Sequence, residues 1–178
     1  MFDLTKNLFS MGIFLGLMTQ PIFNILGIYT GDVAVSYYAE VHQSKLNSFI
    51  HTIGMPFTYY GLLLCVPPLF VRGRDKIVNL QCFFYPYFIS YYLSMDFLTG
   101  VIVAIIYFPS QELAMEHMMN SKSVLKTSLY GLCVATTALT IQEVFGHWLC
   151  GDHPSRIEAI PNAIWHAGYY SIWHLIRG

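Results

Sequence analysis

Between residues 80 and 108 the chain runs for 29 residues with one charged side chain, Asp96. A helix rises ~1.5 Å per residue and a bilayer's hydrocarbon core is roughly 30 Å thick, so about 20 residues cross it. The run is therefore too long for one crossing and too apolar for a linker. Asp96, flanked by Ser94 and Gly100, divides it. The expectation is two helices joined at residues 95–100, the second reaching about residue 119 and ending in the polar FPSQELAMEH stretch. Everything polar in the chain depends on this break. With it, four crossings separate residues 51 and 147, which then end on the same side; without it, they end on opposite sides.

The remaining runs complete an all-α, polytopic transmembrane helical bundle. Its four core spans are residues 49–70, the two halves of 80–119, and 124–150. Residues 1–28 add an N-terminal apolar helix from residue 8, with Pro21 expected to kink it and a Gly12/Gly16 spacing that favours close packing. Lys6 resembles a signal-peptide start, but no small-residue cleavage site follows, so a retained helix is expected. Residues 157–176 form a last, amphipathic helix. The chain is 55% apolar and 11% charged, against about 25% charged in soluble domains, which makes the lipid bilayer its expected partner. Its 178 residues suit one domain, 1–178. A net charge of −1 without a basic stripe gives no basis for nucleic acid. Cys65, Cys82, Cys133 and Cys150 lack paired spacing and read as small buried hydrophobes. Arg72, Arg74 and Lys76 make the most basic loop, while Lys45, Arg156 and Arg177 lie on the other side, so sidedness stays open.

Polar residues crowd against the first core span, in YYAEVHQSKLNSFIHTIGMP at residues 37–56. His42 and His51 are nine residues apart and would point to opposite faces of one straight helix at about 100° per residue. A break near residues 44–48, with Asn47 or Ser48 as N-cap, turns Tyr38/His42 and Asn47/His51 into two i,i+4 pairs facing one pocket. Glu143 and His147 form a further i,i+4 pair, either two ligands or a ligand with its carboxylate support. His166 and His174, about 80° apart around a helix, can both look inward or bond backbone at an interface. His153 lies in a turn without an assigned role, and His117 is expected on the surface at the opposite end. Tyr37, Tyr38, Trp148, Trp165 and Trp173 suit an aromatic belt first and a substrate pocket second. Several neutral imidazoles with a carboxylate favour iron or zinc over magnesium or calcium.

These residues also carry a family resemblance. From Tyr38 the stretch fits Y-x(3)-H-x(4)-N-x(3)-H-x-x-G-x-P, and YYLSMDFLTG and QEVFGH follow in order. The pattern, covering about residues 37–178, resembles the small polytopic, iron-dependent 2-hydroxy fatty acid dioxygenases of phytosphingosine breakdown in the endoplasmic reticulum membrane. The resemblance places His42, His51 and His147 as metal-binding and catalytic histidines. Asn47 and Gln142 join them as catalytic residues, while Gly54, Pro56, Asp96, Gly100 and Gly146 fall on accessory positions. The chain departs from the pattern where the family has a glutamate four residues after the Gly-His pair, then a basic pair and proline: Gly151 stands there, with Asp152 beside it and Pro154 one residue early. His174 stands where a late glutamate is expected. Glu143, Asp152, His166 and His174 are consequently further candidate ligands.

The resemblance implies Fe(2+) as cofactor, with 2-hydroxy fatty acid and dioxygen as partners. The acid would chelate iron through its carboxylate and hydroxyl, and cleavage between those two carbons would leave a fatty acid one carbon shorter. Two other readings stand beside this alpha-oxidation. One is a different membrane lipid-modifying iron enzyme, although the HxxxH and HxxHH boxes of di-iron desaturases are absent. The other is a non-catalytic polytopic protein whose histidines serve packing.

Overall fold

The computed structural model describes residues 11, 14–15, 38–65, 70–72, 77–79, 81–153 and 160–178. The expected N-terminal helix thus lies outside the described residues except for Met11, Phe14 and Leu15, which are helical. Pro21, the Gly12/Gly16 pair, Arg74, Lys76, Pro154 and Arg156 also lie outside them.

Among the described residues five helices make the body: α1 Lys45–Cys65, α2 Gln81–Met95, α3 Phe97–Asn120, α4 Val124–Ile141 and α5 Ile160–Arg177. A π-helical segment, Gln142–Trp148, continues α4. In the basic loop a short antiparallel ribbon pairs β1 Phe70–Arg72 with β2 Ile77–Asn79, Val71 opposite Val78; every other described element is helical. The break in the long apolar run falls at Asp96. Its extended backbone caps α3, and its carboxylate accepts from the Thr99 N–H at 2.8 Å and the Thr99 hydroxyl at 2.7 Å. The hairpin closes tightly because a Cβ on Gly100 would stand 2.6 Å from the Leu93 backbone. Arg177 reaches across to the other Asp96 oxygen at 2.8 Å, fixing the end of α5 to the hairpin.

The first break sits earlier than expected. Residues 42–44 are non-helical and α1 starts at Lys45. The Ser48 N–H bonds the Ser44 carbonyl, so Ser44 stands at the cap and Asn47 and Ser48 lie inside the first turn. This frees both side chains to bond elsewhere. α1 lies centrally, packed against α4, α5 and α3. At its crossing with α4 the backbones touch: a Cβ on Gly61 would stand 2.6 Å from the Gly131 carbonyl, and one on Gly131 would stand 2.6 Å from that of Gly61. Small residues permit such close approach of membrane helices.

The core between α1, α2, α3 and α5 is rich in tyrosine, with Tyr38, Tyr85, Tyr91, Tyr92, Tyr107, Tyr169 and Tyr170 buried around Val103 and Met55. Buried phenols need partners; Tyr59 donates to Gln111 at 2.8 Å and Tyr85 to the Ala104 carbonyl at 2.5 Å. Tyr38 is thus a core residue and not part of a belt, whereas Trp148 is exposed. The cysteines also depart from expectation: Cys65 and Cys150 are half-buried and Cys133 is exposed.

Among the described residues two helices are long and apolar enough to cross a membrane, Phe97–Asn120 with 24 residues and Val124–Trp148 with 25. The expected four spans are not all matched. α2 has only 15 residues, about 22 Å at ~1.5 Å each, and α1 carries a buried polar face of Asn47, Ser48, His51 and Thr58.

Candidate metal centre

The 42–44 break, the first turns of α1 and the π-helical segment meet at His42, His51 and His147. One ring nitrogen from each lies within 4.8 Å of the other two, and all three residues are buried. The rings stand nearly edge-on, at 70° to 78° to one another. The π-helix makes the convergence possible. On a regular α-helix Gln142 and His147, five residues apart, would diverge by roughly 140°. The i→i+5 pattern of a π-helix brings such residues into line, a feature frequent at functional sites.

Each imidazole is held by one nitrogen to a group that accepts. His42 Nδ1 lies 3.2 Å from the Tyr38 carbonyl, and His147 Nδ1 lies 2.7 Å from that of His153. His51 Nδ1 lies 3.0 Å from Gln142 Oε1. The Gln142 amide is oriented by its own nitrogen, which donates to the Ala138 carbonyl at 3.0 Å and the Thr58 hydroxyl at 2.9 Å. A carbonyl cannot donate, so in every neutral ring the proton sits on Nδ1 and Nε2 carries a lone pair. His51 Nε2 and His147 Nε2 face each other at 3.3 Å. Two lone pairs cannot bond, and the spacing is that of two ligands about 2.1 Å from one tetrahedral ion, about 3.4 Å apart. His42 Nε2 is buried with no hydrogen-bond partner. Burial, then the neighbouring His51 and His147, push the His42 pKa down to about 2, which keeps its lone pair available. The three histidines can hold a metal ion, with backbone and amide acceptors behind them as in protein metal sites generally.

The other candidate ligands lie outside the three-histidine group. Asp152 Oδ2 accepts from the Ser44 N–H at 3.1 Å and from Asn47 Nδ2 at 2.7 Å, tying the turn after the π-helix to the start of α1. His166 is buried in the core with its Nε2 3.0 Å from the Tyr91 hydroxyl, away from the cluster. His174 bonds the Ser48 hydroxyl through Nδ1 at 2.8 Å and stacks on Tyr170; burial, then Lys45, lower its pKa. Glu143 is exposed, its carboxylate 3.9 Å from His147 Nε2, so the orienting partner of His147 is the His153 carbonyl instead. His117 is half-buried against the Tyr60 hydroxyl at 2.8 Å, not simply on the surface, and belongs to the far half of the bundle.

Glycine shapes the floor. A Cβ on Gly146 would stand 2.4 Å from Asn47 Oδ1 and 3.3 Å from His51 Nε2. Gly151 has a φ of 72°, a left-handed geometry that is costly for a side chain. A glutamate there would be strained, and Asp152 places its carboxylate beneath the site instead. Thr58 escaped the sequence reading, yet it lies seven residues after His51, about 20° off the same face of α1, which is the signal that marks it.

Fold and centre together define the class: a helical protein with two membrane-length helices among its described residues and a buried three-histidine cluster that could hold a metal ion. No protein-family model matches the chain, and no curated protein or solved structure matches it significantly.

Proposed function

We propose that the protein is an Fe(2+)-dependent dioxygenase of the endoplasmic reticulum membrane that shortens 2-hydroxy long-chain fatty acids by one carbon. The observation that carries this reading is the set of three buried histidines, each with Nδ1 against an acceptor and one ring nitrogen within 4.8 Å of the other two. Three neutral nitrogens suit iron or zinc better than magnesium or calcium and leave positions for oxygen ligands. The motif order described above selects iron and the hydroxy acid.

His42, His51 and His147 would hold the iron, which would supply Lewis-acid and oxygen-activating chemistry for the acid. With that supplied, the balance is simple: a 2-hydroxy acid and dioxygen give the shorter acid, carbon dioxide and water. The chain's own residues would hold the reacting groups. Tyr38, Gln142 and His153 lock the imidazole orientations, and burial excludes bulk water from the histidines. Apolar side chains outside the core supply a surface for the acyl tail. Phe49, Ile53 and Phe57 project from α1, and Val144, Phe145 and Leu149 line the π-helical end, all exposed. An exterior with this many exposed large apolar side chains is disfavoured in water and natural in lipid. In this reading α1 and α2 are also embedded, giving the four-span bundle.

The test is metal analysis of the purified protein together with product analysis on 2-hydroxypalmitate. Iron at one per chain and oxygen-dependent formation of the C15 acid are expected. Zinc with no such product, or no metal at all, would sink the proposal.

A further inference from the structure

The last turns of α3 and the second half of α1 form an open cleft. Tyr60, Leu113, Glu116, His117, Asn120 and Ser121 line it, and it holds about 470 Å³, a volume usual for small-molecule sites. Tyr60 stands nine residues beyond His51 on α1, about 13 Å along the axis, so the cleft is separate from the three histidines. His117 makes a fixed wall. Its Nδ1 meets the Tyr60 hydroxyl at 2.8 Å, and its ring lies 5.3 Å from that of Tyr130.

The charges of the cleft suit a zwitterion. Glu116 supplies a carboxylate, and no lysine or arginine lines the cleft. α3 ends at Asn120, where the terminal carbonyls of a helix add partial negative charge. A cation is therefore favoured there and an anion repelled. Lys122 directly follows Ser121 of the lining and is exposed. Neither Glu116 nor Lys122 makes an ion pair among the described residues. On the other flank Ile105, Pro109 and Leu113 recur every four residues along one face of α3, all exposed. Leu113 also lines the cleft, so this apolar strip leads from the cleft along a helix of membrane length.

We propose that this cleft binds a phospholipid with an ethanolamine headgroup, its ammonium on Glu116, its phosphate on Lys122 and an acyl chain along Leu113, Pro109 and Ile105. Such a lipid carries ammonium, phosphate and tail in the order that the carboxylate, the lysine and the strip present. A primary ammonium donates hydrogen bonds to a carboxylate, whereas the quaternary ammonium of a choline lipid has no N–H to give. A glycerol headgroup brings no cation at all. Binding here needs no metal and does not depend on the chemistry of the three histidines.

The full-length protein in detergent would be titrated with phosphatidylethanolamine, phosphatidylcholine and phosphatidylglycerol, each with a fluorescent acyl label, and binding read by anisotropy. The ethanolamine lipid should bind about fivefold tighter than the other two, the worth of one partly exposed ion pair. Glu116→Gln should lose that preference, and Lys122→Gln should weaken all three lipids alike. Both side chains are exposed, so neither substitution should disturb folding. Equal binding of the three lipids by the unaltered protein, or a preference that survives Glu116→Gln, would overturn the proposal. So would unchanged affinities in Lys122→Gln. Soluble glycerophosphoethanolamine competing as well as the intact lipid would overturn it too, because the apolar strip would then contribute nothing.

Discussion

The side chain of Gln142 lies against the bare backbone of Gly54, so closely that a Cβ on Gly54 would stand 2.5 Å from Gln142 Cγ. The same glutamine holds His51 at 3.0 Å. Gly54→Ala should therefore displace Gln142 and release His51 without touching a ligand. Support of this kind is typically worth about 10–100-fold in metal affinity. Cobalt or iron affinity should fall by that order in Gly54→Ala and in Gln142→Ala alike, measured by competition with a chelator. Unchanged affinity in both would show that Gln142 does not hold the ligand.

Removal of an imidazole should be more severe. His42→Ala, His51→Ala and His147→Ala should each abolish stoichiometric metal, because three neutral donors leave none to spare. His166→Ala and His117→Ala should retain it, since their partners are Tyr91 and Tyr60. Elemental analysis decides, and full metal in His42→Ala would exclude the cluster.

Gly146→Ala forces a methyl group onto Asn47 Oδ1 and towards His51 Nε2. Overpacking of this kind costs about 1–3 kcal/mol. A lowered thermal midpoint together with weakened metal binding is expected, whereas Gly151→Ala should affect stability through its backbone alone.

Asp96 links pH to stability. Its bonds to Thr99, first, and the nearby Arg177 hold its carboxyl below the ordinary value of 3.8. A depressed folded pKa gives stability that is present above the unfolded value and is lost as pH falls through the folded one. Asp96→Ala should lose about 1 kcal/mol of capping at neutral pH and lose the extra decline below pH 3.8. A denaturant melt at neutral and acidic pH measures both.

Membrane orientation follows from the Ser44–Asp152 bond of 3.1 Å. Ser44→Cys and His153→Cys should react with an impermeant thiol reagent from the same side. Asn120→Cys, at the far end of α3, should react only from the other. Labelling of 44 and 153 from opposite sides would contradict the arrangement.

Much of this was legible along the chain. A lone charge in 29 apolar residues marks a break, because an aspartate inside a bilayer helix is expensive and at its N-cap is favourable. The i,i+4 pairing of Tyr38 with His42 and of Asn47 with His51 likewise needs only helical periodicity. The partners of those residues needed the fold. Asp152 and Glu143 are equally acidic in sequence, and only packing makes one the anchor of Asn47 and leaves the other exposed. The π-helical register of Gln142–Trp148 has no signature in residue spacing. Which described helices reach membrane length likewise depends on where they end, and so on contacts between them. The sequence determined which residues are polar and on which local face they lie. Tertiary structure decided which faces meet, because hydrogen-bond partners more than 90 residues apart are chosen by packing and not by propensity.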